Sequence, residues 1–211
     1  MELWHQRWFN NQIGFHRLVA NDLLIKHWPS LECQPGANVL VPLCGKTLDM
    51  HWLNEQGHKI TGVELVEKAV RSFFDEAQLT PHVESQGDHT IFTTEDITII
   101  QGDVFALPET MANCQAWYDR AAMVALPSEV RANYVDQIHS LCSPGAVGLM
   151  ITFAYPQEQM QGPPFSLPDE EVFEVFSERF EVELLESINL EDEKDRGLSQ
   201  ITSSVFKIKR T

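Results

Sequence analysis

The chain is poor in the features that would commit it to phosphate chemistry. Its first apolar strand is not followed by G-x-G-x-x-G, since Gly45 is the only glycine in that turn, and a dinucleotide site needs three. Gly45, Lys46 and Thr47 end like a phosphate-binding loop, but where the first glycine of such a loop would stand there is Leu40, inside the strand. A G-x-S-x-G elbow and an H-E-x-x-H pair are also missing, and the eight histidines show no metal-ligand spacing, so His5, His16 and His51 read as surface or satisfied core residues. Cys33, Cys44, Cys114 and Cys142 form no C-x-x-C pair, which argues against a zinc site or a disulfide framework and suits a reducing cytosol. Cations are scarce: 15 Lys and Arg against 31 Asp and Glu leave a net charge of −16, which repels nucleic acid and anionic lipid. The longest apolar run, near residues 145–154, is too short to cross a bilayer, and MELWHQRW has no basic segment ahead of an apolar core. These absences point to a cytoplasmic protein with neither nucleic-acid nor membrane partners.

What is present suits one α/β domain: 211 residues, 43% of them hydrophobic, can enclose a full core. Residues 38–65, NVLVPLCGKTLDMHWLNEQGHKITGVEL, read as a βαβ unit. A buried strand over 39–43 meets a turn at 44–46, a helix begins near Leu48, and a second buried strand over 60–65 carries Glu64. Ligands of parallel sheets settle beyond the carboxyl ends of the strands, so Gly45 and Glu64 should face one pocket. An acid about 20 residues past the first turn is where a ribose diol is held. A single glycine admits a ligand closely without building the nest of N–H groups that a pyrophosphate requires. A nucleoside without phosphates fits better, and S-adenosylmethionine is the leading candidate.

Trp4 and Trp8 stand four residues apart on an amphipathic helix over 2–9, as a lid over a ligand or as packing on the sheet. A second helix is expected over 15–28, with Leu18, Val19, Leu23, Leu24 and Ile25 as its apolar stripe and Pro29 as its stop. Past a helix over 66–77, residues 83–94 suit a short hairpin turning at Gly87 and Asp88. The strand over 97–101 delivers Asp103, either to the ligand crevice or as the cap of a helix over 104–107. A short strand over 116–119 brings Asp119 and Arg120 to the same edge, where an Arg–Asp structural pair is the plain alternative. A helix over 128–141, closed by Pro144 and Gly145, leads into a fully apolar strand over 146–153. The Pro- and Gly-rich loop 157–168 is long enough to be a cover or a linker, and a helix over 169–180 follows. The last strands, 182–186 and 203–207, are joined through the charged segment 191–196, too short for a helical crossover, so the final strand should run antiparallel.

VLVPLCGKTLDMHWL followed by GHKITGVEL resembles the thiopurine S-methyltransferase family, as do WHQRWFNNQIGFH, GDVFALP, WYDRAAMVALP and GPPFSLPDEEV, in the same order along nearly the whole chain. The resemblance implies a Rossmann-like class I methyltransferase fold: a mostly parallel seven-stranded sheet with an antiparallel last strand and helices on both faces. It implies a single domain over residues 1–211 with a helical N-terminal cap over 1–30, acting as a monomer on small-molecule thiols. The implied activity is S-adenosylmethionine-dependent methylation of aromatic and heterocyclic thiols such as thiopurines, with selenium or tellurium compounds as further acceptors. An O- or N-methyltransferase and a silent cofactor-binding module are the alternatives. Trp4, Trp8, Leu43, Gly45, Glu64, Asp103, Val104 and Arg120 would surround the cofactor, Phe15 and Arg120 would meet the acceptor, and Arg120 would be catalytic. Pro42 stands where many class I enzymes have an acid, and Lys194 and Arg196 are the cations near the place of a second family arginine.

Overall fold

The computed structural model describes residues 2–190 and 197–211. Its strands are β1 (Asn38–Pro42), β2 (Lys59–Glu64), β3 (His82–Gln86), β4 (His89–Thr93), β5 (Ile97–Gln101), β6 (Cys114–Arg120), β7 (Cys142–Ile151), β8 (Phe180–Asn189) and β9 (Thr202–Arg210). They form one sheet in the order β3-β4-β5-β2-β1-β6-β7-β9-β8. The five strands from β5 to β7 are mutually parallel, and β9 runs antiparallel to both β7 and β8. The seven from β5 to β8 are the expected sheet. The count nevertheless rises to nine, because the hairpin at Gly87 and Asp88 pairs β4 antiparallel with β5 and extends that edge.

The sheet separates two apolar cores, and strand alternation assigns residues to them. Leu40, Val63, Ile100, Trp117 and Met150 face one side, covered by α5 (Arg131–Leu141) and α6 (Asp169–Phe176) through Tyr134, Val135, Ile138, Val172 and Phe176. Val39, Val41, Ile60, Ile99, Ala116, Tyr118 and Leu149 face the other. There Leu24 of α2 (Asp22–His27), Met50 and Leu53 of α3 (Asp49–Glu55), and Val70, Phe73 and Phe74 of α4 (Glu67–Glu76) pack on them. The remaining helix, α1 (Glu2–Phe9), lies outside both cores. No helix among the described residues is long and apolar enough to cross a membrane.

Several expected boundaries shift for identifiable reasons. The helix expected over 15–28 begins only at Asp22, where the Asn21 side chain caps it by accepting the Leu23 and Leu24 N–H groups at 2.9 and 3.3 Å. Leu18 and Val19 have no core to face and are exposed. The α-helix ends at His27, as expected just ahead of Pro29, which itself sits in the first turn of a 3-10 segment, Trp28–Leu31, where a missing N–H costs nothing. Residues 104–106 form a 3-10 turn, and the helix expected from Ser128 starts as another. The helix expected over 169–180 ends at Phe176. Pro144 and Gly145 do not precede the strand but lie within β7, where pairing with β6 jumps from Cys142 to Val147, the kind of bulge that tolerates both residues. Residues 191–196, including Lys194 and Arg196, lie outside the described residues.

Candidate active site

At the carboxyl end of β1 the backbone turns through Leu43 at φ +49° and Gly45 at φ +53°. The left-handed region is ordinary for glycine, but at a residue such as Leu43 it costs on the order of 1–3 kcal/mol and persists only where the surroundings impose it. Ala121, the residue after β6, is left-handed too, at φ +62°. Both strained residues stand at carboxyl ends of central parallel strands, where an α/β sheet binds its ligand. Beneath the turn, a Cβ on Gly62 of β2 would lie 2.9 Å from the Cys44 sulfur, so glycine there lets β1 and its turn sit low on the sheet.

Glu64 ends β2 with its carboxylate buried, and it ties this turn to the next helix. Its Oε2 accepts the Gly45 N–H at 2.8 Å and its Oε1 accepts the Val66 N–H, just ahead of α4, at 2.7 Å. Burial pushes its pKa up, while the N–H groups of Val66, Gly45 and Leu65 hold it down. The carboxylate keeps lone-pair capacity for a ligand hydroxyl. Gly45 and Glu64, expected from the sequence to face one pocket, are joined by this direct bond.

Over this pair lies α1. Trp8 is buried, its ring 3.2 Å from where a Gly45 Cβ would be, and it packs with Val66 and Ala69 of the α4 region. Phe15 meets both Trp4 and Trp8 edge to face, each at 5.9 Å between centroids. The end of α1 is held by Lys68, whose Nζ donates to the Trp8 carbonyl at 2.9 Å, as suits a cation at a helix C-terminus. Arg7 Nη1 donates to the Pro163 carbonyl at 3.3 Å, joining α1 to the loop over 157–168.

The remaining expected residues separate. Asp103 caps the 3-10 turn by accepting the Phe105 N–H at 3.0 Å, and Val104 is buried in the α5-side core. They adjoin the Glu64 strand end through the Gly102 N–H, which donates to the Glu64 carbonyl at 2.9 Å. Arg120 does reach Phe15, its Nη1 donating to that carbonyl at 3.4 Å. It does not pair with Asp119. Successive residues of β6 point to opposite faces: Asp119 turns toward α5 and accepts the Tyr134 hydroxyl at 2.7 Å, whereas Arg120 turns toward α3 and donates from Nε to Asp49 Oδ2 at 3.0 Å.

Asp49 is a residue that sequence reasoning missed. Almost fully buried, it accepts the Tyr118 hydroxyl at 3.0 Å and the Asn21 N–H at 2.8 Å besides Arg120. An acid in a helix's first turn ordinarily reads as dipole compensation, so only the strand alternation at Tyr118 and Arg120 could have pointed to it. Arg131 was missed as well: it is buried, bonding Leu126 O, Ser166 O and Glu171, and so anchors the end of the loop. Beside the turn, a cavity of about 280 Å³ is lined by Lys46, Leu48, His51, Phe73, Glu76 and Ala77, with Lys46 and Glu76 paired at 2.6 Å. No group of three or more potential metal ligands is assembled among the described residues.

The arrangement brings a buried carboxylate, two indole rings and a guanidinium to the carboxyl ends of neighbouring strands. The fold is found in solved methyltransferases. One is an S-adenosylmethionine-dependent enzyme from Methanosarcina mazei, with TM-score 0.66 and 13% identity over 91% of this chain and 99% of that one. Another is the 1,6-didemethyltoxoflavin-N1-methyltransferase of Burkholderia thailandensis, crystallised with S-adenosylhomocysteine, with TM-score 0.65 and 16% identity over 100% of this chain and 86% of that one. Sequence similarity is much higher to two proteins named thiopurine S-methyltransferase. That of Pseudomonas aeruginosa (strain UCBPP-PA14) is 43% identical over 99% of this chain and 98% of its own length; that of Shewanella pealeana is 44% identical over 98% and 97%. The model of the thiopurine S-methyltransferase family matches residues 1–211, and the chain belongs to that family.

Proposed function

We propose that this protein transfers the methyl group of S-adenosylmethionine to the sulfur of small aromatic and heterocyclic thiols, thiopurines among them, with selenium and tellurium compounds as further acceptors. Family membership supports the reaction class, and one observation carries the site: the buried Glu64 carboxylate at the end of β2, bonded to the Gly45 turn and lying under α1. The cofactor would supply an electrophilic methyl on a sulfonium with a neutral thioether as leaving group. Such a reaction needs alignment more than acid–base help, worth up to roughly 7–11 kcal/mol in intramolecular models.

Glu64 would accept the ribose hydroxyls, and the rings of Trp4 and Trp8 would cover the cation, a contact worth about 0.5–2 kcal/mol. Leu43, Gly45, Asp103 and Val104 would complete the cofactor site from the neighbouring strand ends. Phe15 would pack on the acceptor ring, and Arg120, positioned by Asp49, would steady the sulfur as a thiolate. The chain would work as a cytoplasmic monomer with α1 as its cap. Mass-shift assays with a panel of thiols and the matching alcohols and amines test the reading: thiol-selective products support it, oxygen or nitrogen products overturn it, and no product at all would indicate a binding module.

A further inference from the structure

His16 carries an unmet hydrogen-bonding atom beside the candidate site. Its Nδ1 is shut away from solvent and has no hydrogen-bond partner among the described residues, although the residue as a whole is part-exposed. A polar atom enclosed without a partner destabilises the fold, and a ligand that bonds to it would recover that loss. The ring follows directly on the Phe15 carbonyl that receives Arg120 Nη1 at 3.4 Å, so the guanidinium lies against the peptide bond joining Phe15 to His16. The charged groups around it come from four elements: Lys46 of the turn, Glu76 of α4, Arg120 of β6 and Asp49 of α3. Lys46 and Glu76 also line the 280 Å³ cavity, so free space adjoins this cluster.

Burial first, then the charges of Lys46 and Arg120, push the imidazole pKa down, against the opposing pull of Glu76 and Asp49. The ring is therefore neutral at neutral pH and has a lone pair to offer. We propose that His16 is the catalytic base that takes the proton of the acceptor's thiol, generating the thiolate beside Arg120. The assignment rests on the thiol-methylating function proposed above. In this step the S–H bond breaks, its electron pair stays on sulfur, and the proton moves to the imidazole, which later returns it to water. A base weakened in this way removes protons readily only from acidic thiols. It therefore also selects thiols borne on electron-withdrawing aromatic or heterocyclic rings over alkyl thiols.

The test is made on the full chain loaded with S-adenosylhomocysteine, so that no turnover is involved. With nitrogen-15-labelled histidine, NMR should show the His16 ring titrating at higher pH beside a bound aromatic thiolate than in the acceptor-free chain. The absorbance of the bound thiol should show it ionising at lower pH than in solution, and His16→Asn should raise that midpoint by about one pH unit. A melting shift with S-adenosylhomocysteine equal to that of the unaltered chain shows the variant folded and loaded, and the NMR arm needs no variant. A His16 titration that the bound thiolate leaves unmoved, or an unmoved thiol midpoint in His16→Asn, overturns the assignment. An unaltered protein that methylates no thiol overturns the proposed function instead.

Discussion

Arg120 donates its Nε to Asp49 Oδ2 at 3.0 Å, across 71 residues of sequence, and the same oxygen accepts the Tyr118 hydroxyl at 3.0 Å. The acid thus fixes one edge of the guanidinium while the other faces the Phe15 carbonyl. Asp49→Asn should leave Arg120 charged but poorly aimed, because an amide presents one acceptor where three donors now converge. Removing one partner of a buried pair costs about 3–5 kcal/mol. A fall in melting temperature together with a loss of kcat is expected. A variant stable to within the error of the melting scan and fully active would show that Asp49 positions nothing.

Glu64→Gln would replace one acceptor with an NH₂ group directed at a backbone N–H, either that of Gly45 or that of Val66. The turn should loosen and a ribose hydroxyl should lose a charged acceptor, together weakening binding by about 1.5–3 kcal/mol, or roughly tenfold and more. Calorimetry with S-adenosylhomocysteine measures this directly. Unchanged affinity would place Glu64 outside the binding pocket.

α1 is seated outside both main cores, with Lys68 donating to the Trp8 and Phe9 carbonyls and Arg7 to the Pro163 carbonyl. Covers that admit substrate and release product come from such weakly held elements. Hydrogen exchange over residues 2–16 should slow when S-adenosylhomocysteine binds, and Lys68→Ala should speed it in the free protein. Equal protection with and without ligand would argue for a fixed helix rather than a cap.

Much of this was legible in the order of the residues. The spacing from Gly45 to Glu64 and the apolar runs of β1, β2 and β5 announce the crevice, because period and turn chemistry are local properties. The Asp49–Arg120 pair is not local: a carboxylate in a helix and an arginine on a strand meet only once the face of β6 is known. Strand alternation does, however, exclude an Asp119–Arg120 pair from sequence alone, since neighbours on a strand diverge. The loop before Asp22 was misread because Leu18 and Val19 continue a helical stripe that has nothing to pack against. The open Nδ1 of His16 leaves no mark in composition or period, as it reflects which neighbours fail to reach it.

Asp119, buried against α5, has its pKa pushed up by desolvation to about 6, despite the Tyr134 hydroxyl and the Met123 and Ala122 N–H groups that hold it down. Because the folded value exceeds the unfolded one near 3.8, its protonation stabilises the fold. That contribution is complete below the unfolded value and is lost as pH rises through about 6. It amounts to roughly 2 kcal/mol between pH 4 and pH 7. The stability of the unaltered protein relative to Asp119→Asn should therefore increase as the pH falls from 7 to 4. Denaturant titrations at several pH values that give a constant difference would contradict this.

Arg120→Lys should cost turnover more than cofactor affinity, although the charge remains. In the native site, Nε is committed to Asp49 and Nη1 to Phe15 O, while no hydrogen bond to Nη2 occurs among the described residues, which leaves that edge for the acceptor. A planar fork can hold its anchors and still offer a donor, whereas an ammonium concentrates its charge at one point and would be drawn to the buried Asp49 carboxylate. The acceptor's sulfur then loses the cation that favours its ionised form. On the proposed function, the charge of the attacking thiolate falls as the new bond forms, so binding the anion too tightly would slow the step, and the benefit of Arg120 would lie in positioning and ionising the nucleophile. The loss should therefore be larger at low pH, where ionisation limits the rate, than at high pH, where the thiol is already deprotonated. A pH–rate profile of the lysine variant with an aromatic thiol decides the matter: a uniform loss at every pH removes the ionising role, and an unchanged rate removes Arg120 from the mechanism.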